Sequence, residues 1–181
     1  MDPVAVVAVA VWAMLPAYVP NNAAVLVGGG HPIDAGRTWR GARVLGDGKT
    51  WRGTAAGALA GIALALVLNA VGPTISAATG LPLPAFPPVA MVALPIGAMV
   101  GDALASFLKR RTGRERGAAF PGIDQFDFVL GALVLTALGA FEWFTATFTL
   151  SVLAVVLVLT PLLHVGTNVI AYQVGLKSEP W

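Results

Sequence analysis

The chain has 181 residues, of which 57% are hydrophobic and only 11% charged, and its mean hydropathy is +0.80. A soluble domain of this length carries roughly a quarter charged residues. The composition therefore excludes soluble globular and disordered proteins, and favours an integral membrane protein with one domain over residues 1–181. The absence of cysteine excludes a disulfide framework and a thiolate metal site.

Five apolar segments are each long enough to cross a hydrocarbon core of roughly 30 Å as a helix. They occupy residues 3–27, 54–72, 87–108, 126–144 and 147–172. We therefore predict an all-α membrane protein with about five transmembrane helices. The first segment lacks the basic start of a signal peptide, so we expect it to be retained. Its Pro16, Pro20 and Asn21-Asn22 predict a break at membrane depth.

Lysine and arginine residues fall almost entirely in two loops. The loop after the first segment holds Arg37, Arg40, Arg43, Lys49 and Arg52; the loop after the third holds Lys109, Arg110, Arg111, Arg114 and Arg116; only Lys177 lies elsewhere. The positive-inside rule makes both loops cytoplasmic, with the N-terminus outside and the C-terminus inside. No basic face interleaved with aromatic residues is present, so the pI of about 9.4 indicates lipid headgroups or phosphates and no nucleic acid.

The third segment ends in GDALASFLKRR, which carries a carboxylate into an apolar helix. Asp102, Ser106 and Lys109 are spaced i, i+4 and i+7 and share one face, with Arg110 beside Lys109. A carboxylate at this depth is costly unless it faces a cavity, a metal or a partner. The alternative is an ion pair within the helix, between Asp102 and Lys109 or Arg110.

The next stretch, FPGIDQFDFVLGA, places two more acids at the start of a helix. Asp124 and Asp127 are spaced i, i+3 and lie on one face of the first turn. The alternative is an N-cap aspartate and a second acid favoured by the helix dipole. With Asp102 at the same membrane surface, we expect three carboxylates to converge. This arrangement suits Mg²⁺ and the phosphates of a nucleoside triphosphate or pyrophosphate.

The stretch LGDGKTWRGTAAG, residues 45–57, lacks the spacing of a phosphate-binding P-loop. It nevertheless offers Lys49 and Arg52 as cations, Thr50 as a hydroxyl, and glycines that let backbone N–H groups approach phosphate. The alternative is a polar turn in which Thr50 or Thr54 caps the second helix.

Two further patterns concern helix packing. His164 and Asn168 are spaced i, i+4 on the last segment, where we expect a packing or cavity-lining role. The small residues of the second segment, including Gly57, Ala60 and Gly61, suit either close packing within the chain or a homodimer.

The arrangement GDALASFLKRRTGRERGAAFPGIDQFD resembles the signature of the CTP-dependent phosphatidate cytidylyltransferase family. Its archaeal branch, the CDP-archaeol synthases, is more similar still. That likeness is carried by LPAYVPNN, GGGHPIDAGRTWRGARVLGDGKTWRG, DQFD and HVGTNVIAYQVGLKSEPW. The chain departs from the bacterial signature because a His-Gly-Gly element is missing, Gln125 replaces an arginine, and RER replaces a Lys-Asp.

The resemblance implies a multi-pass enzyme of the cell membrane that transfers the CMP moiety of CTP to an unsaturated archaeal ether-lipid phosphate. It implies Mg²⁺ ligands at Asp102, Asp124 and Asp127, and catalytic roles for Asp102, Asp127 and Lys109. The implied substrate-binding residues are Lys49, Thr50, Arg52, Ser106 and Arg110.

Three alternatives compete with this hypothesis. A phosphatidate cytidylyltransferase acting on ester lipids shares the chemistry. A small membrane transporter would use Asp102 without nucleotide chemistry, but the acids cluster at one surface and not at the midplane. The motifs of CDP-alcohol phosphotransferases are absent.

Overall fold

The computed structural model describes residues 2–113 and 122–175. Within these ranges the chain forms six helices and a small hairpin. The helices are α1 (Pro3–Val27), α2 (Trp51–Thr79), α3 (Pro88–Arg111), α4 (Ile123–Gly139), α5 (Phe141–Thr147) and α6 (Leu150–Gln173); the strands are β1 (Thr38–Trp39) and β2 (Ala42–Arg43). The prediction of an all-α membrane protein is confirmed. The predicted loop cations Arg114, Arg116 and Lys177 lie outside the described residues.

Four of the described helices, α1, α2, α3 and α6, are long and apolar enough to cross a membrane. The predicted segment 126–144 was wrong at both ends, because α4 runs from Ile123 to Gly139 and a separate short helix follows. The backbone leaves the helical region at Ala140, with φ −138° and ψ 53°. With 17 residues α4 is about 25 Å long. The count of five spans and their orientation stay predictions.

The expected break in the first segment is wrong. Helix α1 continues through Pro16 and Pro20, both of which are buried. Pro20 has no N–H group, so the carbonyl of Pro16 loses its helical donor. Gly61 of α2 packs over that carbonyl: a Cβ added at Gly61 would lie 2.5 Å from the Pro16 oxygen. The neighbouring helix thus covers this carbonyl. A freed backbone group at membrane depth is tolerated only where protein or water surrounds it.

Glycines of α2 also explain how α1, α2 and α3 meet. A Cβ added at Gly57 would lie 2.6 Å from the Pro20 oxygen of α1 and 2.9 Å from the Met99 sulfur of α3. Only a residue without a side chain allows this approach. The small residues of α2 therefore serve packing within the chain, and the homodimer stays an untested prediction.

Helices α3 and α4 form an antiparallel pair that is equally close. A Cβ added at Gly97 would lie 2.7 Å from the Cα of Ala132, and one added at Gly131 would lie 2.8 Å from the Cα of Gly101. A Cβ at Gly101 would in turn overlap the backbone carbonyl of Asp127. The close pairing brings the acidic first turns of α4 beside the polar end of α3.

The bundle has two distinct ends. At one end, indole N–H groups fix the connection between α2 and α3: Trp12 donates to the Pro84 carbonyl at 3.1 Å, and Trp143 donates to the Ala85 carbonyl at 2.8 Å. At the other end lie the loop 28–50, the end of α3 and the start of α4. We call this the basic end, because the lysines and arginines of the described residues are confined to it.

Candidate active site

A lysine from the first loop reaches the acid on α3. Lys49 Nζ donates to Asp102 Oδ2, and both side chains are about one-fifth exposed, at 22% and 21%. The alternative of an ion pair within α3 is therefore wrong: Asp102 is joined to neither Lys109 nor Arg110. The pair instead connects two segments that are 53 residues apart in sequence.

A second lysine joins α3 to α4. Lys109 Nζ lies 2.5 Å from Asp124 Oδ1, and both side chains are again largely buried. The N-cap of α4 is Gly122, whose N–H donates to Gln125 Oε1 at 2.8 Å. The alternative of Asp124 as the N-cap is therefore wrong. Because Gln125 completes the cap, the Asp124 carboxylate is left for Lys109.

Asp127 lies between these two ion pairs. Asp102, Asp124 and Lys49 are all close enough to act on its charge. Its Oδ1 accepts a hydrogen bond from the Phe128 N–H at 2.6 Å. Among the described residues no lysine or arginine lies within ion-pair distance of it. The structure thus places two Lys–Asp ion pairs and the Asp127 carboxylate in the same region, with Asp102, Asp124 and Lys49 in electrostatic reach of Asp127.

These carboxylates are oxygen donors of the kind Mg²⁺ prefers. In the described part of the chain, however, no three acidic or histidine side chains stand close enough to form a ready-made metal site. A ligand set of one or two carboxylates completed by substrate phosphates is the usual arrangement for this ion. The donors present fit that arrangement, and the three-carboxylate site stays a prediction.

Three of the predicted substrate-binding residues make no hydrogen bond or ion pair with these lysines and acids in the described part of the chain. Thr50 is buried, and its Oγ1 accepts a hydrogen bond from the Gly53 N–H at 3.1 Å as the N-cap of α2. The alternative of Thr50 as a cap is confirmed. Arg52 is exposed one residue into α2, and Ser106 is half-buried on α3. Their roles toward substrate stay predictions.

Arg110 lies on a different side of α3 from Lys109. It borders a cavity of about 230 Å³ between α3 and the hairpin, which is lined by Trp39, Arg40, Ala42, Phe107, Arg110 and Arg111. Its Nε is buried and has no hydrogen-bond partner within the described residues. Arg110 therefore faces the hairpin, whereas Lys109 faces α4.

The first loop is organised by a residue that was not predicted from the sequence. Asp34 is 7% exposed and accepts hydrogen bonds from Arg43 and from the backbone N–H groups of Gly36, Leu45 and Gly46. The Arg43 guanidinium, helped by these N–H groups and opposed by burial, holds the pKa of Asp34 well below its usual value. The sequence did contain a signal for this role, because Asp34 and Asp47 are the two acids among the cations of this loop.

The hairpin is fixed on α3 by an arginine that the sequence analysis assigned only to a basic run. Arg111 donates to the carbonyls of Trp39, of Ala42 at 3.1 Å and of Arg43 at 2.6 Å. Trp39 also stacks on Phe107 of α3, with ring centroids 5.6 Å apart. The loop is thereby held rigidly over the end of α3.

His164 and Asn168 lie half-buried on α6. One turn earlier, the hydroxyl groups of Thr160 and of Tyr18 on α1 share a hydrogen bond of 3.0 Å. This part of α6 thus packs against α1 at Thr160, and the packing or cavity-lining role of His164 and Asn168 stays a prediction.

Comparisons with known proteins point to one family. Residues 4–181 match the family described as CarS-like, CDP-archaeol synthase. The chain is 66% identical to the CDP-archaeol synthase of Halobacterium salinarum over 181 residues, which is all of both chains. It is 47% identical to that of Methanococcoides burtonii over 175 residues, covering 93% of this chain and all of the relative. A solved structure, described as an intramembrane enzyme for archaeal membrane lipids biosynthesis, is similar with a TM-score of 0.71 and 38% identity, covering 88% of this chain and 92% of that one.

Proposed function

Because the chain belongs to the CDP-archaeol synthase family, we propose that it transfers the CMP moiety of CTP to the phosphate of an unsaturated archaeal ether lipid, with release of pyrophosphate. The observation that carries this proposal is the meeting of Asp102, Asp124 and Asp127 with Lys49 and Lys109 at the basic end of the bundle. That end of a membrane helix bundle is where a water-soluble nucleotide and a lipid headgroup can meet.

The reaction needs little acid–base chemistry from the protein. An oxygen of the lipid phosphate forms a bond to the α-phosphorus of CTP, while the bond from that phosphorus to the bridging oxygen of the β-phosphate breaks and pyrophosphate leaves in line. The attacking oxygen is already anionic near neutral pH, so no general base is required. The protein contributes positioning and charge neutralisation.

The lysines are the groups of this chain best placed for that task. Lys49 and Lys109 are held by Asp102 and Asp124 at the cluster. Each has further ammonium N–H groups with which it can donate to phosphate oxygens. Arg52 and Arg110 lie at the same end of the bundle, on α2 and α3. We propose that they contact the outer phosphates or the lipid phosphate.

The charge of the cluster argues for a metal ion. With all three carboxylates ionised, the three acids and two lysines carry one net negative charge before an anionic triphosphate arrives. We propose that Asp102 and Asp127 hold Mg²⁺, with Asp124 as the third acid. When bound, Mg²⁺ would supply positive charge to the phosphate oxygens on which negative charge builds up. Asp127 is suited to this role because no cation among the described residues neutralises it.

We propose further that the basic end faces the cytoplasm, where CTP is available. The described lysines and arginines of both basic stretches lie at this end, and the positive-inside rule assigns such stretches to the cytoplasm. Cations near the bilayer surface would also attract the anionic headgroup of the lipid substrate.

The experiment that tests the proposal uses purified protein in detergent with Mg²⁺, labelled CTP and a geranylgeranyl-ether glycerol phosphate. Label in the lipid phase together with pyrophosphate is expected, and both should be lost in Asp127→Asn. The matched control is Glu142→Gln, which alters an acid on α5 at the opposite end of the bundle and should leave transfer unchanged.

Each other outcome changes the assignment in a defined way. Labelling of phosphatidate but not of the ether lipid would keep the chemistry and overturn the substrate. No labelling with either lipid would refute cytidylyl transfer and favour the transporter alternative.

A further inference from the structure

The first loop is closed at its base by its own backbone. The Ile33 N–H donates to the Lys49 carbonyl at 2.8 Å, and the Trp51 N–H donates to the His31 carbonyl at 3.2 Å. Between these bonds, Pro32 and Thr50 form an isolated antiparallel bridge. Lys49 therefore sits on a short paired stem whose other arm leads directly into Asp34.

Asp34 fills the interior of this loop. Its two oxygens accept hydrogen bonds from Arg43 Nη2 at 2.6 Å and Nε at 3.2 Å, and from the backbone N–H groups of Leu45 at 2.9 Å, Gly46 at 2.9 Å and Gly36 at 3.1 Å. A buried carboxylate satisfied by five N–H groups is rigid, because moving it would leave several of them without an acceptor.

A short chain of bonds leads from Asp34 to Lys49. The Gly46 N–H donates to Asp34, and the Gly46 carbonyl accepts a hydrogen bond from the Lys49 N–H at 3.3 Å. On the other arm, the Ile33 N–H, next to Asp34, donates to the Lys49 carbonyl. Both backbone polar groups of Lys49 are therefore fixed by residues that Asp34 contacts or adjoins.

We infer that Asp34 is a positioning residue that holds Lys49 in reach of Asp102 and of the nucleotide phosphates. This inference rests on the proposed function, in which Lys49 contacts CTP. Lysine carries its charge on a flexible stem of four carbons. Its ammonium group is placed by the backbone as well as by the ion pair with Asp102, and in this loop Asp34 and Arg43 fix that backbone.

The test is a double-mutant cycle with Asp34→Asn and Lys49→Met. Asparagine keeps the size of the side chain but removes its charge and presents an N–H group to Arg43. We expect Asp34→Asn to lower kcat/KM for CTP by about 10- to 100-fold, the range expected when a reacting group is misplaced. If Asp34 acts through Lys49, the same change in the Lys49→Met background should cost less than about twofold.

For each variant of the cycle, both the CTP affinity in the presence of Mg²⁺ and the turnover are measured. The affinities still give a complete cycle if Lys49→Met has no activity. The matched control is Asp47→Asn. Asp47 pairs with the same Arg43, at 2.5 Å, but its side chain is 62% exposed. We expect Asp47→Asn to change CTP affinity by less than about twofold, because an exposed pair contributes little.

A second readout follows the loop itself and does not depend on activity. The chain has no cysteine, so Arg37→Cys and Leu108→Cys introduce two spin labels at exposed positions of the loop and α3. Asp34→Asn should broaden the distance distribution between the labels, and Asp47→Asn should leave it unchanged. Arg43→Lys keeps the charge but loses the bidentate geometry, and it should broaden the distance distribution to an intermediate degree. It replaces Asp34→Asn in this measurement if Asp34→Asn does not fold.

The outcomes separate this inference from the proposed function. Equal losses of CTP affinity from Asp34→Asn in both Lys49 backgrounds, or an unchanged distance distribution, would overturn the positioning role. A wild-type protein that binds no CTP and labels no lipid, but whose loop loosens on Asp34→Asn, would refute the function and keep the role of Asp34 in placing Lys49.

Discussion

Lys109 Nζ lies 2.5 Å from Asp124 Oδ1, so an ion pair ties the last turn of α3 to the first turn of α4. The segment that links α3 to α4 in the sequence includes the cations Arg114 and Arg116. The ion pair therefore joins the residues on either side of this basic segment. Asp127 lies one turn further along α4 from this ion pair. The same contact therefore serves both the packing of the helices and the charge of the candidate site.

Lys109 has two possible roles: it contacts substrate phosphate, or it only holds α3 against α4. Changing each partner of the ion pair distinguishes the two roles. If Lys109 acts on substrate phosphate, Lys109→Met should lower kcat by about 100-fold or more, whereas Asp124→Asn, which leaves the lysine in place, should cost distinctly less. Turnover and thermal unfolding of both variants in detergent check this. Losses of turnover in both variants that are matched by equal losses of melting temperature would mean that the pair is purely structural.

The closest contact between α3 and α4 predicts a large effect of one methyl group. A Cβ at Gly101 would overlap the Asp127 carbonyl, so Gly101→Ala should push the helices apart and destabilise the protein by about 1–3 kcal/mol. Activity should fall with stability, because Asp102 and Asp127 separate. Gly166→Ala on α6 is the control, since a Cβ there meets nothing within 4 Å. An unchanged melting temperature for Gly101→Ala would contradict this packing.

Removal of the metal should abolish the reaction. Chelation with EDTA is expected to stop cytidylyl transfer, and added Mg²⁺ should restore it. Asp127→Asn should lower turnover by at least about 100-fold and shift the Mg²⁺ titration to higher concentration. Asp47→Asn, an acid outside the cluster, should titrate as the wild type does. Full activity in EDTA would argue against the proposed metal.

Thr50 tests whether a cap residue also binds substrate. Thr50→Ala should destabilise the protein by about 1 kcal/mol, because the Gly53 N–H loses its acceptor. Thr50→Ser keeps the hydroxyl and should restore most of that stability. The KM for CTP, measured beside the melting temperature, then decides the second role: a KM that rises in Thr50→Ala and recovers in Thr50→Ser supports the predicted phosphate contact.

The buried Asp34 predicts how the stability of the loop depends on pH. Its pKa in the folded chain lies below the ordinary value of 3.8 because Arg43, itself paired with Asp47, stabilises the carboxylate. A lowered pKa contributes stability above the unfolded-chain value and loses it as the pH falls below that value. The difference in melting temperature between wild type and Asp34→Asn should therefore be constant from about pH 5 to 8 and shrink below about pH 4. A difference that shrinks near neutral pH would contradict the assigned ionisation.

The sequence by itself determined the class of the protein and much of the site. A long apolar run is a local property, so the membrane helices could be predicted from hydropathy. The spacing of Asp124 and Asp127, and of Asp102 and Lys109, follows from the helical repeat, so shared faces could be predicted as well. The motifs that contain these acids also predicted the family to which the chain belongs.

Only the tertiary structure decided which charges meet. Lys49 and Asp102 are 53 residues apart, and no local pattern states that a loop lysine, and not Lys109, pairs with that acid. The carbonyl of Pro16, which has no helical donor, is covered by Gly61 of a different helix. Asp34 gains its importance from donors that surround it only in the folded loop. Local propensity cannot specify such contacts, because each is produced by the packing of segments that are distant in sequence.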